Sequence, residues 1–205
     1  MSTSTIGVLG GAFNPPHIGH LVLAHEAAAQ LGLERVLLIP YGEAPHRPIE
    51  PEPGPQVRLD MCRAAAGDDG LLDVSEVEVA RPGPSYSFRT LELLSDERQG
   101  DELCLLMGAD VAAGLESWRE PGRLVELARL GIAGRPGTAL DEARAALERL
   151  GAGERAEPIA MPEIDVSSTM LRGRIAAGRS VRYLMPDGVA ALIAERGLYR
   201  ERVSA

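Results

Sequence analysis

No lysine occurs among the 205 residues, and all 21 basic side chains are arginine. This excludes a P-loop lysine, a Schiff-base lysine and the pyridoxal phosphate chemistry that needs one. Cysteine is nearly as scarce: Cys62 and Cys104 stand 42 positions apart with neither CxxC nor His–Cys spacing. Neither a disulfide framework nor a zinc knuckle is indicated, so both thiols are expected reduced and buried. No apolar run approaches the roughly 18 residues of a membrane span. The opening MSTSTIGVLGGAF lacks a positive n-region, and glycines break its apolar stretch, so it does not read as a signal peptide. A soluble, cytoplasmic chain with no membrane partner is the expectation. Basic residues are outnumbered 30 to 21, for a net charge of −9. Such a surface disfavours a phosphate backbone, and nucleic acid is not an expected partner.

What is present reads as one domain over residues 1–205, since a domain averages roughly 150 residues. Short apolar runs at Ile6–Leu9, Val36–Ile39, Leu103–Met107 and Leu130–Ala133, with a more polar one at Leu72–Val79, predict buried, mostly parallel strands. Between them, His20–Leu31, Val57–Ala66, Phe88–Arg98, Asp110–Ser117 and Leu140–Leu150 carry helical spacing. The alternation predicts an α/β fold, a doubly wound Rossmann-like sheet. Six prolines between Pro40 and Pro55 rule out helix or central strand there and predict an irregular loop after a strand. From about residue 167 two helical patterns, Ser168–Ala177 and Asp187–Arg196, predict a small helical C-terminal extension.

The first strand runs into GGAFNPPHIGH, Gly10 to His20, and then into a helix. Glycines at a strand-to-helix turn let backbone amides approach a phosphate, and the three-residue spacing puts His17 and His20 on one helix face. Both imidazoles can then donate to one phosphate chain. A zinc site is poorly supported, because His25 lies about 140° around the helix from His20 and no cysteine or close carboxylate completes a ligand set. No metal ligand is therefore assigned. His25, inside LVLAHEAAA, reads as structural.

GGAFNPPHIGH resembles the signature of the HxGH nucleotidyltransferases at nearly every position, and VSSTMLR, Val166 to Arg172, resembles their ISSTxIR element. Three further stretches, PYGEAPHR (Pro40–Arg47), SYSFRTL (Ser85–Leu91) and MGADVAAGLESW (Met107–Trp118), resemble segments of the nicotinic acid mononucleotide adenylyltransferases. The resemblance runs from Ile6 to about Arg196. It implies that Gly10, Phe13, His17, His20, Gly108, Asp110, Arg135, Ser167, Ser168 and Arg172 bind ATP. It further implies that His46, Arg47, Thr90 and Trp118 bind the mononucleotide, and that His17, His20 and Arg172 are catalytic. Three positions depart from the usual pattern: Ala12 replaces Thr or Ser, Ala44 replaces Pro, and Arg89 replaces Asp.

The resemblance also implies the chemistry. A phosphomonoester is largely dianionic at pH 7, so its attack on the α-phosphorus of ATP needs alignment and hydrogen-bond donors rather than a general base. Mg²⁺ is expected with the ATP phosphates and not in a protein cage. The expected products are nicotinic acid adenine dinucleotide and pyrophosphate, the step before amidation to NAD. Two alternatives stay open: another HxGH adenylyltransferase, such as one acting on phosphopantetheine, and a non-catalytic nucleotide sensor.

Overall fold

The computed structural model describes residues 4–45, 49–134 and 138–200. β1 (Thr5–Gly11) leads through α1 (Ile18–Leu31) to β2 (Arg35–Pro40), which is followed by α2 (Pro55–Ala66), β3 (Leu72–Val74), α3 (Ser87–Glu97) and β4 (Glu102–Gly108). Then come α4 (Ala109–Ala112), a 3-10 turn at Leu115–Ser117, α5 (Pro121–Leu127), β5 (Arg129–Ala133), α6 (Thr138–Arg149), a second 3-10 turn at Gly153–Arg155 and β6 (Ala156–Ile159). Two helices follow, α7 (Ser168–Ala176) and α8 (Asp187–Glu195).

The strands pair in the order β3-β2-β1-β4-β5-β6, every pairing parallel. Apolar side chains along each inner strand alternate between two cores, because successive strand residues point to opposite faces. Leu37, Ile39, Leu103, Leu105, Met107, Leu130 and Ile132 pack on the face covered by α3 to α6. Val36, Leu38, Cys104 and Leu106 pack on the other, against Leu23, Ala24 and Ala27 of α1 and Cys62 and Ala66 of α2. Cover on both faces is why these strands are continuously apolar. A third cluster joins Met61 and Ala65 of α2 to Leu171, Met185, Val189 and Ile193, which seats the C-terminal extension on the domain. Both cysteines are buried free thiols, and no helix among the described residues is long and apolar enough to cross a membrane.

Strand order reverses at β1, which pairs with both β2 and β4. Their connections diverge there and open a crevice at the C-terminal strand ends, the usual ligand site of such sheets. The Gly10–His20 turn, the loop after Pro40 and Gly108 all leave the sheet at that end.

Four local expectations change. The run at Leu72–Val79 is strand only to Val74, because this edge strand pairs with β2 alone and its ladder stops at Leu38–Val74. The helix expected at Asp110–Ser117 is split into α4 and a 3-10 turn around Gly114. α5 and β6 were not expected at all: α5 is seven residues long and opens on Pro121, while β6 is a four-residue edge strand, AEPI, with no apolar run.

Candidate active site

The turn between β1 and α1 is built around a buried phenyl ring. Phe13 is 1% exposed and held at φ 46°, a left-handed conformation that costs a non-glycine residue energy and that tends to occur where function fixes the backbone. Its ring lies 4.9 Å from that of His20. Gly11 is needed beside it, since a Cβ there would come within 3.3 Å of the ring.

His17 is the extended N-cap of α1, and its backbone N–H donates to His20 Nδ1 at 3.1 Å. An accepting Nδ1 fixes the neutral His20 tautomer, with its proton on Nε2. The two rings lie 3.8 Å apart between centroids, so the expected pairing is present. Gly19 leaves room for it, because a Cβ there would sit 3.1 Å from the His17 ring. Burial pushes His17 down to about 4, and burial together with the His17 charge pushes His20 down to about 3. At neutral pH both are uncharged N–H donors. The Nδ1 of His17 has no hydrogen-bond partner among the described residues.

Several side chains pin this turn. Arg172 donates to the Asn14 carbonyl at 2.8 Å, and Ser168 donates to the Pro15 carbonyl at 2.8 Å. Ser167 caps α7 by accepting from the Met170 N–H at 3.2 Å. The VSSTMLR and HIGH stretches therefore meet, as required if both hold one nucleotide. Asn14, 2% exposed, also donates to Pro51 O and accepts from the Tyr199 hydroxyl.

Arg58, fully buried on α2, donates to Ala12 O, Gly42 O and Glu52 Oε1 at 3.2, 3.2 and 3.0 Å. One guanidinium thus ties the β1–α1 turn to both ends of the proline-rich loop. Sequence reasoning missed Arg58 and Tyr199. For Arg58 a signal existed: a cation three and four positions before Met61 and Cys62 lies on the apolar face of α2.

A cavity of about 680 Å³ opens at the strand ends, lined among others by Asn14, Ala44, Tyr86, Trp118, Arg119 and Arg172. Gly108 ends β4, and Asp110 follows in the first turn of α4, its Oδ1 lying 2.5 Å from where a Gly108 Cβ would be. Trp118 is half-buried, packed on the core and facing the cavity. Gly10 is exposed at the end of β1. His46, Arg47 and Arg135 lie outside the described residues.

Two residues of the SYSFRTL stretch are committed to partners of their own. Thr90 is 3% exposed, and its hydroxyl donates to the buried Glu78 Oε1 at 2.6 Å. Its hydroxyl is thereby committed, and Thr90 is not among the residues lining the cavity. Burial pushes the Glu78 carboxyl up, against hydrogen bonds from Thr90 and Ser85. Arg89 points away from the cavity and pairs with Glu92 at 3.0 Å while its side chain is 56% exposed. The one-turn spacing of Arg89 and Glu92 makes that surface pair the nearest outlet for its charge.

Residues 8–174 match the family described as cytidylyltransferase-like. The chain is 46% identical to a probable nicotinate-nucleotide adenylyltransferase of Roseiflexus sp. (strain RS-1), over 98% of this chain and 100% of that one. It is 39% identical to one of Thermus thermophilus, over 95% and 99%. Among solved structures, its fold is similar to Plasmodium falciparum nicotinic acid mononucleotide adenylyltransferase complexed with NaAD. That match has a TM-score of 0.76 at 14% identity and covers 96% and 97% of the two chains.

Proposed function

The chain belongs to the cytidylyltransferase-like family, and from that premise we propose that it transfers the adenylyl group of ATP to nicotinic acid mononucleotide. The products are nicotinic acid adenine dinucleotide and pyrophosphate. One observation carries the reading: two stretches more than 150 positions apart, around His17–His20 and Ser168–Arg172, are hydrogen-bonded into one anion-binding corner. That corner adjoins a cavity walled by Trp118. The near full-length likeness to relatives named for this activity supports the choice of second substrate.

In this mechanism the mononucleotide phosphate, already dianionic, attacks the α-phosphorus in line, and the bond to the pyrophosphate oxygen breaks. No side chain becomes covalently attached. The His20 Nε2–H and the His17 ring act as preorganised donors to phosphate oxygens, and Arg172 adds a fixed charge. As neutral groups the imidazoles cost no counter-ion before substrate arrives, and the ligand's own negative charge then offsets the desolvation that lowered their pKa. Gly10, Gly108 and the turn amides approach the nucleotide closely, Asp110 and Ser167 border it, and Phe13 shapes the turn from beneath. Arg135 is retained as an ATP contact, His46 and Arg47 as mononucleotide contacts. The indole of Trp118 offers its face to an electron-poor pyridine ring. Mg²⁺, when bound to the ATP phosphates, neutralises charge on the leaving group.

The test is pyrophosphate release from ATP with nicotinic acid mononucleotide, nicotinamide mononucleotide or phosphopantetheine as acceptor. We expect release with the acid, at least tenfold above the amide in kcat/KM, which asks for only ~1.4 kcal/mol of differential binding. Release with phosphopantetheine alone would overturn the reading. His17→Ala and His20→Ala should each lower kcat by about 10²–10³ while KM for ATP changes little, since each removes a donor to charge that grows in the transition state.

A further inference from the structure

With Arg89 paired to Glu92 at the surface, the described cations that line the cavity are Arg119 and Arg172. We infer that Arg119 is the specificity-determining cation that holds the ring carboxylate of the mononucleotide. This rests on the adenylyl-transfer reading above and deepens it.

Three observations carry the assignment. First, the charged residues lining the described cavity are Glu50, Arg119 and Arg172. Arg172 is engaged with Asn14 O on the β1–α1 turn and with Thr169 Oγ1 on its own helix, whereas Arg119 makes no hydrogen bond or ion pair among the described residues. Its five N–H donors, in a planar fork that matches a carboxylate, are uncommitted. Second, Arg119 directly follows Trp118, the ring-stacking candidate, on the same wall. A pyridine laid against the indole brings its 3-carboxylate within reach of the neighbouring side chain, and the amide analogue offers no charge there. Third, the backbone beside it is held in a costly conformation. Glu120 sits at φ 52°, left-handed, directly before Pro121, although a residue preceding proline is pushed towards extended geometry. Strain of this kind tends to persist where it aims a functional side chain.

The carboxylate lies at the far end of the substrate from the phosphate that reacts. Its contact is therefore made equally in ground and transition states, and its loss should appear in KM and not in kcat.

The test compares wild type, Arg119→Gln, Arg119→Lys and Arg89→Gln, each assayed for pyrophosphate release with ATP and either mononucleotide. Melting temperature serves as the fold control; Arg119→Gln orphans no partner and should melt like wild type. For Arg119→Gln we expect KM for the acid to rise at least threefold with kcat nearly unchanged, KM for the amide to stay put, and the acid preference to shrink by the same factor. Lysine, keeping the charge but not the fork, should restore part of the preference, and Arg89→Gln should behave as wild type. An unchanged preference in Arg119→Gln overturns the inference, as does an equal rise in KM for both mononucleotides, which would place Arg119 on the shared phosphate. Acid activity without acid preference in wild type overturns the inference and leaves adenylyl transfer standing. Absence of release with either mononucleotide defeats adenylyl transfer to this substrate class and the inference with it.

Discussion

A guanidinium with no solvent exposure needs its charge balanced, and around Arg58 the balance comes from Glu52, whose side chain remains 39% exposed. The asymmetry gives an ordering of variants. Arg58→Met removes the buried charge and leaves two carbonyl oxygens, of Ala12 and Gly42, without their donor, a loss of about 1–3 kcal/mol for each unsatisfied group. Glu52→Gln keeps the shape and strips the buried cation of its counter-charge, for which ~3 kcal/mol is the expected scale. Solvent screening of the 39% exposed Glu52 trims that figure, so urea unfolding should rank Arg58→Met, at about 2–6 kcal/mol for its two carbonyls, as at least as damaging as Glu52→Gln, and a near-neutral Glu52→Gln would show that water balances Arg58 instead.

Protons give a second check at this scale. The unfolded chain binds protons at His17 and His20 once pH drops below about 6.5, while the folded chain resists until about 4 and 3. The unfolded state thus binds more protons between those limits, so this part of the stability is complete above pH 6.5 and declines as pH falls through the window. Glu78, with its raised carboxyl, pulls the other way, so the informative quantity is a difference. Melting temperature plotted from pH 7.5 to 4.5 should fall less steeply for His20→Gln than for wild type; parallel slopes would mean that His20 titrates normally in the folded chain.

Among elements, legibility followed burial. β1, β2, β4 and β5 announce themselves because both faces are covered, so their sequences are continuously apolar. β6 pairs only with β5 and carries Glu157 and Pro158 in four residues; an edge strand this short is stabilised by its neighbour's ladder and leaves no pattern. The candidate site was readable where chemistry restricts residue type, at His17, His20, Ser167, Ser168 and Arg172, which the fold brings together. It was unreadable where a residue's partner lies beyond helix spacing: nothing local says that Thr90 will bond Glu78, twelve positions away, whereas the three-residue spacing of Arg89 and Glu92 is open to view.

α7 shows how one element serves stability and site together. Its N-cap, Ser167, satisfies the Met170 N–H, and the next residue, Ser168, bonds the turn holding the histidines. Ser167→Ala should cost ~1 kcal/mol of stability as a lost cap. If Ser167 also meets ATP, KM for ATP should rise in the same variant, and calorimetric ATP binding measured well below the melting temperature would separate the two effects.

Across the whole molecule the parallel order places every β-to-α loop at one end, so residues from both halves of the sheet converge at the β1–β4 reversal. The C-terminal extension closes that arrangement. α8 packs against α2 through Val189 and Ile193, and the chain then returns to the β1–α1 turn, where the Tyr199 hydroxyl donates to Asn14 Oδ1 at 2.5 Å. Asn14 is thereby held on three sides, by Pro51 O, by Arg172 at its carbonyl and by Tyr199, and the β1–α1 turn is anchored at once to the proline-rich loop and the C-terminal helices. Burial pushes the Tyr199 phenol up, so it remains a donor throughout the working range. Tyr199→Phe keeps the ring packing and removes only that donor, leaving a buried amide oxygen unsatisfied at a cost of about 1–3 kcal/mol. The same variant frees Asn14 to tilt, which misplaces the turn amides and histidines without touching any substrate. Loss of kcat at wild-type KM for both substrates, in a variant still fully folded at the assay temperature, is the expected signature. A variant that loses stability but keeps kcat would show instead that the extension only buttresses α2 and that the turn holds its shape without Tyr199.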